Sequence, residues 1–215
     1  MCHPILYSFK RCPYAMRARM ALYLAEIKCE IREIRLSNKP EQMLELSPKG
    51  TVPVLILEDK IIDESYDIVN WVIEESNIFS DNLELDQIDL TEALIKKFDD
   101  DFKYHLDRYK YVTRYENTDS DFHKAKCLKT LVDLETIASD DKWIFGENLN
   151  KLDISILPFI RQFRIANPEW FDSLEEISRI KSILNNYLDS EEFKKIMYKY
   201  DEWELGAKPV YFPST

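Results

Sequence analysis

Lys10-Arg11-Cys12-Pro13-Tyr14-Ala15-Met16-Arg17 decides how the chain reads, because it puts a cysteine where an apolar run gives way to helical spacing. Before it, Pro4-Ile5-Leu6-Tyr7-Ser8-Phe9 is short, apolar and aromatic, as a buried strand is. After it, Ala15, Ala18, Leu22 and Ala25 recur at helical intervals. The spacing predicts strand, turn, helix, with the sulfur in the turn. Pro13 suits the first helical position, since its missing N–H costs nothing there and its fixed φ already matches a helix. Cys12 then stands beside the unpaired N–H groups of the first turn. Those groups, the positive end of the helix dipole and the cations Lys10, Arg11 and Arg17 all favour an anion. Such surroundings lower a thiol's pKa toward neutrality or below, which predicts a reactive thiolate. The alternative is a small buried hydrophobe, the usual state of a free cysteine.

Outward from that turn, Cys29-Glu30-Ile31-Arg32-Glu33-Ile34-Arg35-Leu36 reads as a half-exposed strand. Ser37-Asn38-Lys39-Pro40 is a turn, and a short helix with Met43, Leu44 and Leu46 stops at Ser47-Pro48-Lys49-Gly50. Val52–Leu57 and Ile61–Asp63, joined by Glu58-Asp59-Lys60, form a hairpin, and Ser65 can cap a helix whose apolar face is Ile68, Val69, Val72 and Ile73. Strands linked through a helix pair in parallel, whereas the closing hairpin is antiparallel. This predicts a thioredoxin-like α/β domain, with a mixed four-stranded sheet, over residues 1–76. A linker follows at 77–85, and then an all-helical domain over 86–215.

In that second half, Asp86 to about Glu116 reads as one long or bent helix. Asp119 to about Ser139 reads as another, with Phe122, Leu128, Leu131, Val132 and Leu134 as its buried candidates. Asn150-Lys151-Leu152-Asp153 caps a third helix, interrupted by Pro158; further helices are expected at about 176–188 and 190–200, before an irregular 208–213.

With 215 residues, 45% of them hydrophobic, the chain can bury a substantial core. Its net charge of −11, with acids and bases interspersed, disfavours nucleic acid and anionic membranes as partners. The N-terminus does not read as a signal peptide and no apolar run approaches a membrane span, so a cytosolic protein is expected. The cysteines at 2, 12, 29 and 127 have no C-x-x-C spacing, which argues against a zinc site or a disulfide scaffold. Ala15 stands where a dithiol motif would carry its second sulfur, so chemistry at Cys12 is monothiol. His3, His105 and His123 show no metal spacing and read as surface residues; no metal is expected.

Taken together, Cys12-Pro13-Tyr14-Ala15-Met16-Arg17 after a strand, Thr51-Val52-Pro53-Val54-Leu55, Asp63-Glu64-Ser65, and a helical half with Gly146 and Asn150-x-x-Asp153 resemble the cytosolic glutathione transferases. The cysteine is similar to that of omega-class and glutaredoxin-like bacterial members. The resemblance implies glutathione as cosubstrate and a cis Val52-Pro53 turn whose Val52 backbone pairs with glutathione's cysteinyl part. It also implies Glu64 and Ser65 at the γ-glutamyl end, Lys39 at the glycyl carboxylate, Tyr14 walling the site, and Pro13 and Arg17 supporting the thiolate. Ser65 as a plain cap, Lys39 as a solvated charge, Tyr14 as packing and Arg17 as a surface ion pair are the alternatives. Tyr104, Arg108 and Tyr111, at helical spacing, are candidates for the second substrate's pocket or for core or subunit packing. Asn150 and Asp153 are structural.

The implied reaction is glutathione-dependent thiol–disulfide exchange (thioltransferase, dehydroascorbate reductase or deglutathionylation) with weak conjugation, acting on a small electrophile or disulfide. A conventional conjugating transferase and a non-catalytic ligand-binding or regulatory protein on the same fold are the alternatives. Family members are commonly homodimers, and glutaredoxin-like relatives can be monomers.

Overall fold

The structure, a computed structural model, describes residues 3–79 and 83–213. Cys2 and positions 80–82 of the expected linker lie outside the described residues. The chain forms two compact units, one of residues 1–80 with 190–215 and the other of residues 81–189.

In the first unit, β1 (Ile5–Ser8) leads through the cysteine turn into α1 (Pro13–Leu24), and β2 (Cys29–Glu33) returns parallel to β1 with Ile5 opposite Glu30 and Ser8 opposite Glu33. Next come α2 (Glu41–Leu46), β3 (Val54–Ile56), antiparallel to β1, and β4 (Ile61–Ile62), antiparallel to β3, before α3 (Ser65–Ser76). Helix α1 packs against α3 and is buried on almost every side, Arg17 and Arg19 going under together with Ala15, Ala18 and Ala21. Of the apolar residues expected inside α2, Met43 is buried while Leu44 and Leu46 are exposed.

The second unit is helical. The expected long helix is divided into α4 (Leu85–Lys97) and α5 (Lys103–Lys110) by a π-helical turn over Phe98–Phe102. The widened turn brings Phe98 and Phe102 into a stack at 4.5 Å inside the core while Asp99, Asp100 and Asp101 line its other positions. Helices α6 (Ser120–Glu135), α7 (Lys151–Ala166), α8 (Pro168–Ser173) and α9 (Ser178–Asp189) complete the unit. Of these, α7 is the central one, packing against α4, α5, α8 and α9 and running through Pro158. Its N-terminus carries the expected capping box: Asn150 Oδ1 accepts the Leu152 and Asp153 amides, and the Asp153 carboxylate accepts those of Ile144 and Asn150, both at 3.0 Å.

Two expectations for this unit are corrected. In α6 the buried face is His123, Cys127, Thr130, Leu131 and Leu134, while Phe122 is 50% exposed and Leu128 and Val132 are half-buried. Apolar residues occur on more than one side of this helix, so their spacing left its phase ambiguous. His105 and His123 are not surface residues; they are buried side by side with Nδ1 atoms 2.6 Å apart, one ring donating and the other accepting.

After residue 189 the chain returns to the first unit. Helix α10 (Glu191–Ile196) packs on α1, and β5 (Tyr211–Phe212) pairs antiparallel with β2, so the sheet order is β4-β3-β1-β2-β5. The sheet thus has five strands where four were expected, and residues 190–215 group with the α/β unit instead of the helical one. Burial of Phe212 and the Ile31 amide's 2.8 Å bond to the Val210 carbonyl account for the placement. A two-residue strand between prolines carries no periodic signal.

Candidate active site

Cys12 has extended backbone (φ −75°, ψ 123°) and is the N-cap of α1, with Pro13 in the first turn as expected. Its amide donates to the Phe9 carbonyl and its carbonyl accepts from the Met16 amide, both at 2.9 Å, so the residue is fixed on either side. The thiol makes no capping bond and is half-buried; Sγ lies 3.6 Å from the Val52 carbonyl oxygen, to which it donates. That contact belongs to the protonated form. A thiolate has no proton to offer a carbonyl, and its stabilisation passes to the N–H groups at the head of α1.

The Val52–Pro53 peptide is cis. Val52 belongs to an apolar cluster with Tyr7, Ile34, Met43 and Val54, against which Phe9 and Cys12 pack. One cluster therefore fixes both the sulfur and the carbonyl facing it. The approach to this turn is set by Gly50, whose φ of +60° suits glycine and whose missing Cβ would stand 3.0 Å from Leu44 Cδ2. Lys39 folds over the same spot, with Nζ 3.4 Å from that Cβ position. Its ammonium is thus carried to the loop leading into Val52-Pro53.

The corner between β4 and α3 is tied to this loop. Ser47 Oγ and Lys49 Nζ donate to Asp63 at 3.0 and 3.2 Å, and Lys49 Nζ also donates to Glu64 at 2.7 Å. Burial alone would raise the Asp63 carboxyl, but the bonds from Lys49 and Ser47 outweigh it and hold the group below its ordinary range. Glu64 is the N-cap residue of α3, without a side-chain capping bond, and Ser65 is the first helical residue, which corrects its expected role as the cap. Buried Ser65 Oγ instead accepts a 2.9 Å hydrogen bond from Arg17 Nε. Arg17 is 2% exposed, its guanidinium 5.2 Å from the Tyr14 ring and 5.6 Å from the Tyr66 ring, so it is no surface ion pair.

The first unit therefore brings Cys12, Pro13, Tyr14, Arg17, Val52, Pro53, Glu64, Ser65 and Lys39 onto two connected corners, the head of α1 with the cis-proline loop and the head of α3. The parts played by Ser47, Lys49 and Tyr66 escaped sequence reasoning. A buried serine in a polar loop has no spacing to betray it, and Lys49 reads as a solvated charge.

Tyr104, Arg108 and Tyr111 belong to the second unit. Arg108 lies over the Tyr104 ring at 3.5 Å and the Tyr115 ring at 4.5 Å, and its Nη1 bonds the Tyr104 carbonyl at 3.3 Å. Tyr111 falls past the last turn of α5, where the backbone has left the helix, and stacks with Arg114. Helical spacing holds for the first two and not for the third.

Among the described residues no group of three His, Cys, Asp or Glu side chains could hold a metal ion, and no helix is long and apolar enough to cross a membrane.

Residues 6–78 match the family model of the glutathione S-transferase N-terminal domain. A probable glutathione S-transferase of Nicotiana tabacum is 31% identical over 165 residues, spanning 74% of this chain and 72% of that protein. Glutathione S-transferase omega-1 of Rattus norvegicus is 38% identical over 81 residues, or 36% of this chain and 34% of that one. In three dimensions, a glutathione transferase family member from Pseudomonas fluorescens, crystallised with two glutathione molecules bound, superposes with a TM-score of 0.79. It is 14% identical, with 91% of this chain and 92% of that one covered, and shares the fold.

Proposed function

The chain belongs to the glutathione S-transferase family, and from that premise we propose that it binds glutathione and uses Cys12 for glutathione-dependent thiol–disulfide exchange. The observation that carries this reading is the position of Sγ, 3.6 Å from the Val52 carbonyl at the N-terminus of α1. A peptide that pairs with Val52 as an added strand brings its own cysteine to that sulfur.

In the proposed cycle the Cys12 thiolate attacks the glutathione sulfur of a mixed disulfide. The Cys12–glutathione disulfide forms as the substrate's sulfur–sulfur bond breaks, and the substrate thiolate leaves and takes a proton from water. A second glutathione, as thiolate, attacks the same glutathionyl sulfur, releasing glutathione disulfide and restoring Cys12. The oxidant is the substrate disulfide and the reductant is glutathione, so one protein thiol suffices. The N–H groups of α3 and the Ser65 hydroxyl suit the γ-glutamyl carboxylate, the Glu64 carboxylate suits its ammonium, and Lys39 suits the glycyl carboxylate.

A chemical argument favours exchange over conjugation. Conjugation needs a group that hydrogen-bonds glutathione's thiolate without bonding to it, whereas a cysteine at this place forms a disulfide with it. The test is Cys12→Ser in a glutathione-coupled disulfide-reduction assay. Loss of at least about 100-fold in kcat/KM, together with a glutathione adduct on wild-type Cys12 by mass spectrometry, is expected. A serine variant with full reductive activity refutes the mechanism.

A further inference from the structure

Arg19 is completely buried, two helical turns beyond Cys12 on α1. Its Nε donates to Ser8 Oγ at 2.8 Å, at the end of β1; Nη1 donates to the Ile196 carbonyl at 3.0 Å, on α10; and Nη2 pairs with Glu33 Oε2, at the end of β2. The second oxygen of that same carboxylate, Oε1, accepts the backbone amide of Lys10 at 2.6 Å. Lys10 lies inside the turn, two residues before the sulfur.

The turn between Ser8 and Pro13 is therefore held at three places by one ion pair, a fully buried guanidinium and a largely buried carboxylate. Ser8 is tied at its start, Lys10 is tied in its middle, and Arg19 fixes the helix that follows. The backbone carbonyl of Glu33 is itself held by the Trp203 amide at 2.8 Å, so the residue sits on a rigid strand end. A carboxylate only 12% exposed and used on both oxygens is costly to desolvate, and an apolar pair would fill the space as well. What an apolar pair cannot do is accept the Lys10 amide.

We propose that Glu33 is a positioning residue for Cys12: held by Arg19, its carboxylate fixes the Lys10 amide and so keeps the sulfur at the N-terminus of α1. This rests on the reading that Cys12 is the reacting group. The sign of one measurement separates positioning from simple charge. Removing a nearby negative charge favours a thiolate and lowers the thiol's apparent pKa. Freeing the turn takes the sulfur away from the helix N–H groups and raises it.

The experiment follows the rate of alkylation by iodoacetamide against pH, in a Cys2→Ser background because Cys2 lies outside the described residues. Cys29 and Cys127 are buried, and burial pushes the Cys29 thiol up to about 12 and raises that of Cys127 as well, so the label reports Cys12. For Glu33→Ala the midpoint of the profile is expected to rise by about one pH unit, a tenfold loss of thiolate below it. Arg19→Met with Glu33→Ala removes the pair together, leaves no unpaired buried charge, and is expected to rise equally while circular dichroism stays that of the folded protein. A midpoint that stays in place or falls in the folded variants overturns the proposal. Hydrogen exchange on the unsubstituted protein gives an independent reading: the Lys10 amide is expected to exchange at least about tenfold more slowly than in a free peptide, and an unprotected amide also overturns it. Alkylation needs neither glutathione nor a disulfide substrate, so a shifted midpoint in a protein without reductase activity would sink the proposed function and leave this inference standing.

Discussion

Asp153→Ala removes the acceptor of two buried amides, those of Ile144 and Asn150, at the head of the central helix of the second unit. Asp153, Asn150 and Ile144 are each 0% exposed, so water cannot replace the lost oxygens. Each buried donor left without a partner costs about 1–3 kcal/mol, and losing the carboxylate's share of the capping box adds to this. Against that loss stands the cost of keeping a carboxyl in the interior, where burial pushes it up to about 7 despite the amides of Ile144 and Asn150. The net expectation is a loss of about 3–4 kcal/mol, or roughly 10 °C in melting temperature for a chain of this size. Asp153→Asn keeps one acceptor and is expected to lose about half as much. Thermal and urea unfolding followed by circular dichroism, with the fluorescence of buried Trp143 to report on the second unit, measures both. The pH dependence carries a sign as well. The folded state keeps a proton on Asp153 that the unfolded chain releases, so wild type loses stability relative to Asp153→Asn as pH rises from 3.8 to about 7. An alanine variant that melts within about 2 °C of wild type would show that the two amides do not depend on this carboxylate, and the reasoning would fail.

The histidine pair gives the opposite dependence. Burial lowers both His105 and His123, and His123, Lys126 and Arg108 lower His105 further against Asp101, which raises it, while Arg108 lowers His123 against Asp119. Both rings are neutral in the fold and take protons on unfolding, so their stabilisation is complete above 6.5 and is lost as pH falls below it. Wild type is therefore expected to lose more melting temperature between pH 7 and pH 5 than a His105→Phe, His123→Leu variant, and parallel curves would contradict this. Ser65→Ala deprives the buried Arg17 guanidinium of its 2.9 Å acceptor and is expected to cost about 1.5–3 kcal/mol by urea unfolding. It should also weaken retention on immobilised glutathione, and unchanged retention would remove Ser65 from the proposed binding site.

The parts legible in the sequence were those written in short-range constraints. Pro13 after Cys12 marks a helix start because the ring's geometry acts on its immediate neighbours, and Asn150-x-x-Asp153 spells a capping box because its partners are three residues apart. Val52-Pro53 needed the family resemblance to be expected as cis. What stayed hidden depends on partners far along the chain. Ser65 looks like a cap until Arg17, 48 positions earlier, is found to use its oxygen. His105 and His123 look solvated until α5 and α6 bring their rings together. In α6, apolar residues on several sides left the phase open, and packing chose the His123–Cys127–Leu131 side.

The placement of β5 has a consequence for how the chain is made. Val210 and Tyr211 supply backbone partners to a strand formed by residues 29–33, and the His3 and Tyr211 rings meet edge to face at 5.1 Å. During synthesis, then, the first unit emerges from the ribosome with one side of β2 unpaired, and it waits through the whole helical insertion before its last strand arrives. A bare strand edge invites foreign chains, so the nascent protein passes its most vulnerable interval while residues 81–189 are being added.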